Sequence, residues 1–279
     1  MKVTAHVEIA GQGIPYEEVF PLYKRLGADG VELVIRANTA LNLESTDADF
    51  LRVRRMAEDN GLAISGLTSG FSWSLPMTSD HEDVRIAGEK AMERVLEGAA
   101  LLGTDSVLIA PGYASTIFIT PSETIDPKIA RERAVEGVKK AAAYAAKVGV
   151  CVNPEVIWGG MLRSAPEMKA FMDEINMPAA GFYMDTGNVF PEGDPEGWIR
   201  TMGKHTRRVH IKDYNPDKPG LDAFCRLGEG RVDYKAVMQA LKEVGYDGWL
   251  GAEHHVGRTE EEAAYSLKFI RRLANGEIA

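Results

Sequence analysis

The sequence has few cysteines and histidines and no long apolar run. Its 279 residues include 2 cysteines and 6 histidines. Two cysteines do not make a disulfide framework, so we interpret Cys151 and Cys225 as unrelated reduced thiols. No segment approaches the roughly 20 uninterrupted apolar residues of a membrane span. The first residues lack the apolar core and cleavage site of a signal peptide. We therefore expect a cytoplasmic protein with no membrane partner.

The sequence also lacks an excess of positive charge. It has 41 acidic and 32 basic residues, which gives a formal net charge of −9. Proteins that bind nucleic acids neutralise phosphates with a basic surface, so this composition argues against a nucleic-acid partner. An acidic balance is otherwise common in soluble cytosolic enzymes, so it selects little among the remaining functions.

What the sequence does contain is a regular alternation of strand-like and helical segments. Between the strand-like runs, apolar residues recur at the three- and four-residue spacing of an amphipathic helix. Eight such units favour parallel strands with right-handed crossovers, closed into a single (β/α)₈ TIM barrel of about 250 residues. No linker or change in composition divides the chain, so we predict one domain over residues 1–279. The eight runs start near Val3, Gly30, Leu62, Asp105, Gly149, Ala180, Arg207 and Gly248.

Capping signals mark the ends of the predicted helices. Residues 79–82, 164–167 and 259–262 match the capping box, in which a hydroxyl and a Glu satisfy free amides at a helix start. A glycine in the left-handed conformation can close a helix. Four glycines directly precede strand-like runs and are predicted to do this: Gly27, Gly103, Gly149 and Gly245.

Four side chains suited to metal binding lie at the ends of successive strand-like runs: Glu155, Asp185, His210 and Glu253. In a TIM barrel the carboxyl ends of the strands meet at the face where active sites are built, so we expect these side chains to converge. Three carboxylates and one imidazole suit a divalent cation. Taken singly, each has a simpler interpretation. The glutamates would be solvated rim residues, His210 a core residue, and Asp185 a turn cap with Gly187 at a positive φ.

Several segments resemble the sugar phosphate isomerase/epimerase family, which is xylose isomerase-like and includes ketose 3-epimerases and ribulose-phosphate 3-epimerase-like enzymes. The most specific part is the ordered Glu, Asp, His, Glu set, with His-x-Lys-Asp at 210–213. The resemblance implies a (β/α)₈ barrel that often forms dimers or tetramers. It also implies one divalent ion held by Glu155, Asp185, His210 and Glu253, with Mn²⁺ expected and Mg²⁺, Co²⁺ or Zn²⁺ as alternatives. The segments are PEVIWGGMLRSAPEM, FYMDTGNVF, RRVHIKDYN, LGEGRVDY and GYDGWLGAE.

The activity implied by the resemblance is that of a metal-dependent isomerase or epimerase of a sugar or sugar phosphate. A ketose held by the metal would have its carbonyl polarised and its enediolate stabilised. Glu155 and Glu253 would take and return a proton on opposite faces of the substrate. Asp185 and His210 would be mainly structural ligands, and because the imidazole must be neutral to bind metal, activity should fall at acid pH.

Five further residues are predicted to bind substrate. Lys212 would contact a substrate oxygen or phosphate, or form a salt bridge with a rim carboxylate. Glu32 would contact substrate hydroxyls or support the barrel. The others are Asn188, Trp158 and Arg226, with His6 and His254 as additional pocket candidates. Aromatic residues in the loops after strands would line a pocket or cover the barrel mouth: Phe71, Trp73, Tyr113, Phe118 and Phe224.

The loops also separate this chain from well-known ketose 3-epimerases. Those enzymes carry a His where this chain has Asn188, and an Arg shortly after the metal-binding His that is missing from residues 214–219. The main alternative function is a metal-dependent lyase on the same scaffold, which would dehydrate a keto-cyclitol or cleave a 3-oxo-glycoside. A DNA repair enzyme of the AP-endonuclease type is disfavoured by the few histidines and the negative charge. A non-catalytic sugar-binding role is the fourth hypothesis.

Overall fold

The computed structural model describes residues 1–119, 122–253 and 258–278. Eight strands of this part of the chain start within two residues of the positions predicted from the sequence. A short antiparallel pair, β8 with β9, was not predicted. The strands are β1 Lys2–His6, β2 Gly30–Ile35, β3 Ala63–Ser69, β4 Ser106–Ile109, β5 Cys151–Pro154, β6 Phe182–Asp185, β7 Thr206–Ile211, β8 Asp213–Tyr214, β9 Phe224–Cys225 and β10 Trp249–Ala252.

The eight long strands form one sheet in the order β5-β4-β3-β2-β1-β10-β7-β6. Neighbouring strands pair in parallel, as β1 does with β2 and with β10. Parallel bridges between Val152 and Ala180 and between Glu155 and Tyr183 connect the β5 and β6 ends of this row. A parallel sheet closed on itself and alternating with helices is the predicted (β/α)₈ TIM barrel, so the predicted fold class is confirmed.

Helices follow the strands along the chain, and their boundaries test the capping predictions. Ser164 accepts from the Glu167 amide at the start of one helix, and Thr259 accepts from the Glu262 amide at the start of another. The capping box at 79–82 was wrong, because Ser79 Oγ lies 2.6 Å from Glu123 Oε1 and makes no cap. The four glycines predicted to close helices all have a positive φ, so this prediction is confirmed. The helices are α1 Tyr16–Arg25, α2 Asp47–Asp59, α3 Phe71–Ser74, α4 Glu82–Leu102, α5 Pro127–Val148, α6 Ala165–Ile175, α7 Thr186–Val189, α8 Pro195–Met202, α9 Tyr234–Glu243 and α10 Glu260–Ala274.

By backbone proximity the chain divides into two compact units. The first is Met1–Leu33, Arg52–Ser65 and Met184–Ala279, and its buried core includes Tyr23 and Trp198. The second is Val34–Leu51 and Gly66–Tyr183, where α4 packs on α5 and Gly98 leaves room for the Phe50 ring. A single domain over residues 1–279 stays a prediction.

The two cysteines and the apolar character of the helices bear on earlier expectations. Cys151 and Cys225 are both free, as predicted for reduced thiols. Among the described residues, no helix combines the length and apolar character that crossing a membrane requires.

Candidate metal centre

Three of the four predicted ligand residues lie at the carboxyl ends of neighbouring strands. Asp185 is the last residue of β6, His210 lies near the end of β7, and Glu253 directly follows β10. The register of β10 and β7 places Gly251 beside His210. A Cβ atom at Gly251 would come within 2.8 Å of the imidazole Cδ2, so this glycine makes room for the ring.

The two ring nitrogens of His210 have different surroundings. Nε2 lies 2.9 Å from Glu32 Oε2, whereas Nδ1 lies 3.0 Å from Glu253 Oε2 and 3.8 Å from Asp185 Oδ2. An ionised carboxylate can only accept a hydrogen bond, so Glu32 favours the tautomer with its proton on Nε2. The lone pair of Nδ1 then points towards the other two carboxylates. A histidine that binds metal is typically held in this way through its other ring nitrogen.

Asp185 uses its two carboxylate oxygens for different purposes. Oδ1 accepts from the amides of Gly187 at 2.9 Å and Asn188 at 2.7 Å, which caps α7. Oδ2 faces His210 Nδ1 and the Lys212 ammonium. The capping interpretation is therefore correct for one oxygen and leaves the other for a cation. Its expected positive φ at Gly187 was wrong, since Gly187 does not adopt the left-handed conformation.

Lys212 is buried and lies among the same carboxylates. Its Nζ is 2.9 Å from Asp185 Oδ2, 3.0 Å from Glu253 Oε2 and 3.2 Å from Asn188 Oδ1. The side chain is 1% exposed. The sequence left two roles open for Lys212: contact with a substrate or a salt bridge with a carboxylate. The salt bridge is present, and its two carboxylates belong to candidate metal ligands.

Burial and the Lys212 charge act in opposite directions on the acids. For Asp185 burial is the stronger effect, and it raises the pKa of the carboxyl despite the Lys212 ammonium. Burial also opposes ionisation of Glu253, but the Lys212 ammonium and the protonated form of His210 outweigh it and hold the pKa well below its usual range. Glu253 is therefore a carboxylate at neutral pH. Asp185 must lose any proton that it carries before it binds a cation, which makes metal binding pH-dependent.

Glu155 completes the set that the sequence predicted. It directly follows β5 and is buried. One ligand atom from each of Glu155, Asp185, His210 and Glu253 lies within 4.8 Å of the others, so the four residues could hold a metal ion. Three carboxylates and one imidazole nitrogen are donors that suit Mn²⁺, Mg²⁺, Co²⁺ or Zn²⁺.

The sequence also matches a protein family and several individual proteins. A family model described as xylose isomerase-like TIM barrel covers residues 20–273. The chain belongs to this family. The predicted resemblance to xylose isomerase-like enzymes is thereby confirmed.

Two proteins that are similar to this chain are named as sugar epimerases. The D-psicose 3-epimerase of Agrobacterium fabrum is 28% identical over 262 residues, which are 92% of this chain and 86% of that protein. The L-ribulose-5-phosphate 3-epimerase UlaE of Shigella flexneri serotype 5b is 26% identical over 253 residues, with 88% and 84% covered.

Solved structures share the fold across nearly the whole chain. A crystal structure of D-psicose 3-epimerase in the presence of D-fructose superimposes with a TM-score of 0.83 at 23% identity, covering 99% of this chain and 100% of that one. The 3-keto-D-glucoside 4-epimerase of E. coli gives a TM-score of 0.76 at 19% identity, covering 97% and 99%.

The other predicted site residues have varied positions. Asn188 is buried and contacts Lys212, and Glu32 is buried in the middle of β2. Burial lowers the pKa of His6, although Glu253, Glu32 and Glu8 oppose this. Arg226 lies 3.8 Å over the Tyr265 ring and 3.1 Å from Glu262 Oε2, so its charge is engaged by α10. His254 lies outside the described residues.

The predicted aromatic residues divide into two kinds. Phe71, Tyr113 and Phe224 are buried. Trp73, Phe118 and Trp158 are partly exposed and form a row, with centroids 5.4 Å apart for Trp73–Phe118 and 5.6 Å apart for Phe118–Trp158. Substrate contact by Trp158 stays a prediction.

Sequence reasoning missed two residues that hold the site in place. Thr186 Oγ1 donates to the Lys212 carbonyl at 2.7 Å and accepts from the Lys212 amide at 2.9 Å. Asp213 accepts from the amides of Gly228 and Gly230 through Oδ2, and from those of Tyr214 and Val232 through Oδ1. Both belong to the quoted motifs FYMDTGNVF and RRVHIKDYN, but apart from Tyr214 their partners are distant in sequence, and no local pattern identifies them.

Proposed function

We propose that this chain is a divalent-metal-dependent isomerase or epimerase of a sugar or sugar phosphate, with 3-epimerisation of a ketose as its reaction. The observation that carries the proposal is the position of His210 Nδ1, which lies 3.0 Å from Glu253 Oε2 while Glu32 engages Nε2. An imidazole lone pair that faces carboxylate oxygens is the kind of donor set that a divalent cation binds. The named activities of the two relatives in the same family support the choice of reaction.

The residues that would hold the metal are Glu155, Asp185, His210 and Glu253. Mn²⁺ is the ion we propose, because its preference for carboxylate oxygens matches a set with three of them. When bound, the metal would polarise the substrate carbonyl and offset the negative charge that develops on the substrate during proton removal.

The two glutamates would move the protons. Glu253 directly follows β10 and, as a carboxylate, would accept a proton from the carbon next to the carbonyl. Glu155, acting from the opposite face, would return a proton and invert the centre, and the reverse reaction exchanges the two roles. Asp185 and His210 would serve mainly as ligands, with His210 orientated by Glu32.

Residues beside the metal ligands would contact the substrate. Lys212 donates a hydrogen bond to Asn188 beside Asp185, which supports a role for both residues close to the reacting atoms. For Glu32 we propose orientation of His210 in place of substrate contact, because its carboxylate is buried and directed at the ring. Arg226 would have to leave Glu262 to reach a substrate. A homodimer or homotetramer and a cytoplasmic location stay predictions.

Metal analysis combined with NMR in D₂O tests this function. The purified protein would be analysed for metal, treated with a chelator, reloaded with Mn²⁺ and incubated with a panel of ketoses, ketose phosphates and 3-keto-glycosides. We expect one substrate class to gain deuterium next to its carbonyl and to form an epimer, only when metal is present. Release of water or of an aglycone would indicate the lyase alternative. Absence of exchange in the whole panel with Mn²⁺ bound would contradict the proposal.

A further inference from the structure

Lys212 is the residue around which the segment after β6 is built. Thr186 hydrogen bonds to both its amide and its carbonyl, at 2.9 Å and 2.7 Å. A Cβ atom at Gly187 would come within 2.8 Å of Lys212 Cγ, so only a glycine leaves room for the lysine stem. Asn188 Oδ1 accepts from Nζ at 3.2 Å. Three successive residues thus fix the backbone, the stem and the ammonium of one lysine.

The ammonium is also covered from the side of the short β8–β9 pair. The centroid of the Phe224 ring lies 4.9 Å from Lys212 Nζ, within the range of a cation–π contact. Phe224 is itself buried, and its ring packs edge-on against Tyr214 at 5.8 Å. A buried cation held by neighbours on several sides keeps one position, unlike a flexible surface lysine.

The Lys212 ammonium contacts the same carboxylate oxygens that a metal would use. Lys212 Nζ contacts Asp185 Oδ2 and Glu253 Oε2, and these two oxygens are the ones that face His210 Nδ1. Both oxygens belong to residues of the candidate metal set. An ammonium and a divalent cation therefore attract the same lone pairs, and two positive charges this close repel each other.

We infer that Lys212 is a built-in counter-charge that keeps the metal-free site folded and lowers its affinity for the divalent ion. In the metal-free protein the ammonium offsets the repulsion between the Asp185 and Glu253 carboxylates. With a metal present, the ammonium would compete for these oxygens and would leave the metal exchangeable. This inference rests on the proposed function, since it concerns the affinity of the proposed metal site.

The test compares Lys212→Met with the unchanged protein and with Lys140→Met. Methionine keeps most of the stem but removes the charge. Lys140 is the matched control, because its Nζ lies 2.6 Å from Glu89 Oε1 on a half-exposed surface and its loss changes the net charge equally. Each chelator-treated protein would be titrated with Mn²⁺ by calorimetry, and its melting temperature would be measured with and without saturating Mn²⁺.

We expect Lys212→Met to bind Mn²⁺ at least about tenfold more tightly than the unchanged protein. Its metal-free form should melt at a lower temperature, and saturating Mn²⁺ should restore most of the difference. Lys140→Met should show neither change. A lysine with only a packing role would lower both melting temperatures and leave the affinity unchanged.

Lys212→Gln is the second variant, because it removes the charge while its amide can still hydrogen bond to the carboxylates. It should shift the Mn²⁺ affinity in the same direction. Equal or weaker Mn²⁺ binding by the folded Met or Gln variant would overturn the inference while leaving the proposed metal site intact. Absence of Mn²⁺ binding by the unchanged protein would overturn the metal site and this inference together.

Discussion

The Glu32 carboxylate lies 2.9 Å from Nε2 of His210, and both side chains are 1% exposed. Glu32 is in the middle of β2 and His210 is near the end of β7, so the barrel brings together residues 178 positions apart. The contact fixes the ring so that Nδ1 faces Asp185 and Glu253. Glu32 is thus the residue through which the sheet orientates the imidazole.

Glu32→Gln should weaken Mn²⁺ binding about 10- to 100-fold, because loss of a partner that orientates a metal-binding histidine has effects of this size. The glutamine is similar in shape, so the fold should persist. Calorimetric titration of the metal-free variant measures the change. Glu243→Gln is the control, since Glu243 pairs with Arg200 on the surface. Unchanged affinity in Glu32→Gln would show that the contact with His210 does not support the metal.

Gly251→Ala should displace the imidazole, because the new Cβ atom would lie 2.8 Å from His210 Cδ2. Overpacking of this kind costs about 1–3 kcal/mol of stability, and we expect Mn²⁺ affinity to fall as well. Gly245→Ala separates the two effects. Gly245 has a φ of 72° and open space around it, so alanine there should lower stability through backbone strain and leave Mn²⁺ affinity unchanged. Equal affinities in the two variants would contradict this account of Gly251.

Asp213→Asn should lower the free energy of unfolding by about 2–4 kcal/mol, as expected when a charged acceptor of several buried hydrogen bonds is lost. Asp213 accepts from four backbone amides between Tyr214 and Val232, and an asparagine would direct an NH₂ group at some of them. Urea unfolding measures the loss. Asp217→Asn is the control, because Asp217 forms an exposed pair with Arg231. A loss no larger than that of the control would count against the role of Asp213.

The Cys225 thiol should be unreactive in the folded protein. Burial, with smaller contributions from Asp213 and Glu229, raises its pKa to about 11 from the ordinary value of 9.0. The unfolded thiol ionises first as pH rises, so the contribution of Cys225 to stability is present below pH 9.0 and is lost between pH 9.0 and about 11. A thiol-specific reagent at pH 8 should modify Cys151 in the native protein and both cysteines after denaturation. Rapid modification of Cys225 in the native state would refute this.

The sequence is sufficient to predict the repeating pattern and the candidate ligands, because both depend on local order along the chain. Strand starts follow from apolar runs, and Glu155, Asp185, His210 and Glu253 each lie at a strand end or next to one. Contacts between residues far apart in sequence cannot be predicted in this way. The contact of Glu32 with His210 and the engagement of Arg226 by α10 depend on distances between segments far apart in sequence. Ser79 likewise bonds to Glu123 instead of its own helix.

The central claim is that Glu155 and Glu253 exchange protons with a substrate carbon, and solvent-deuterium exchange tests it most directly. The Mn²⁺-loaded protein and the variants Glu155→Gln and Glu253→Gln would each be incubated in D₂O with the substrate found in the panel. NMR would follow deuterium next to the carbonyl, and circular dichroism would confirm the fold. We predict exchange in the unchanged protein and a loss of at least about 100-fold in each variant. Undiminished exchange in either folded variant would contradict the two-glutamate mechanism.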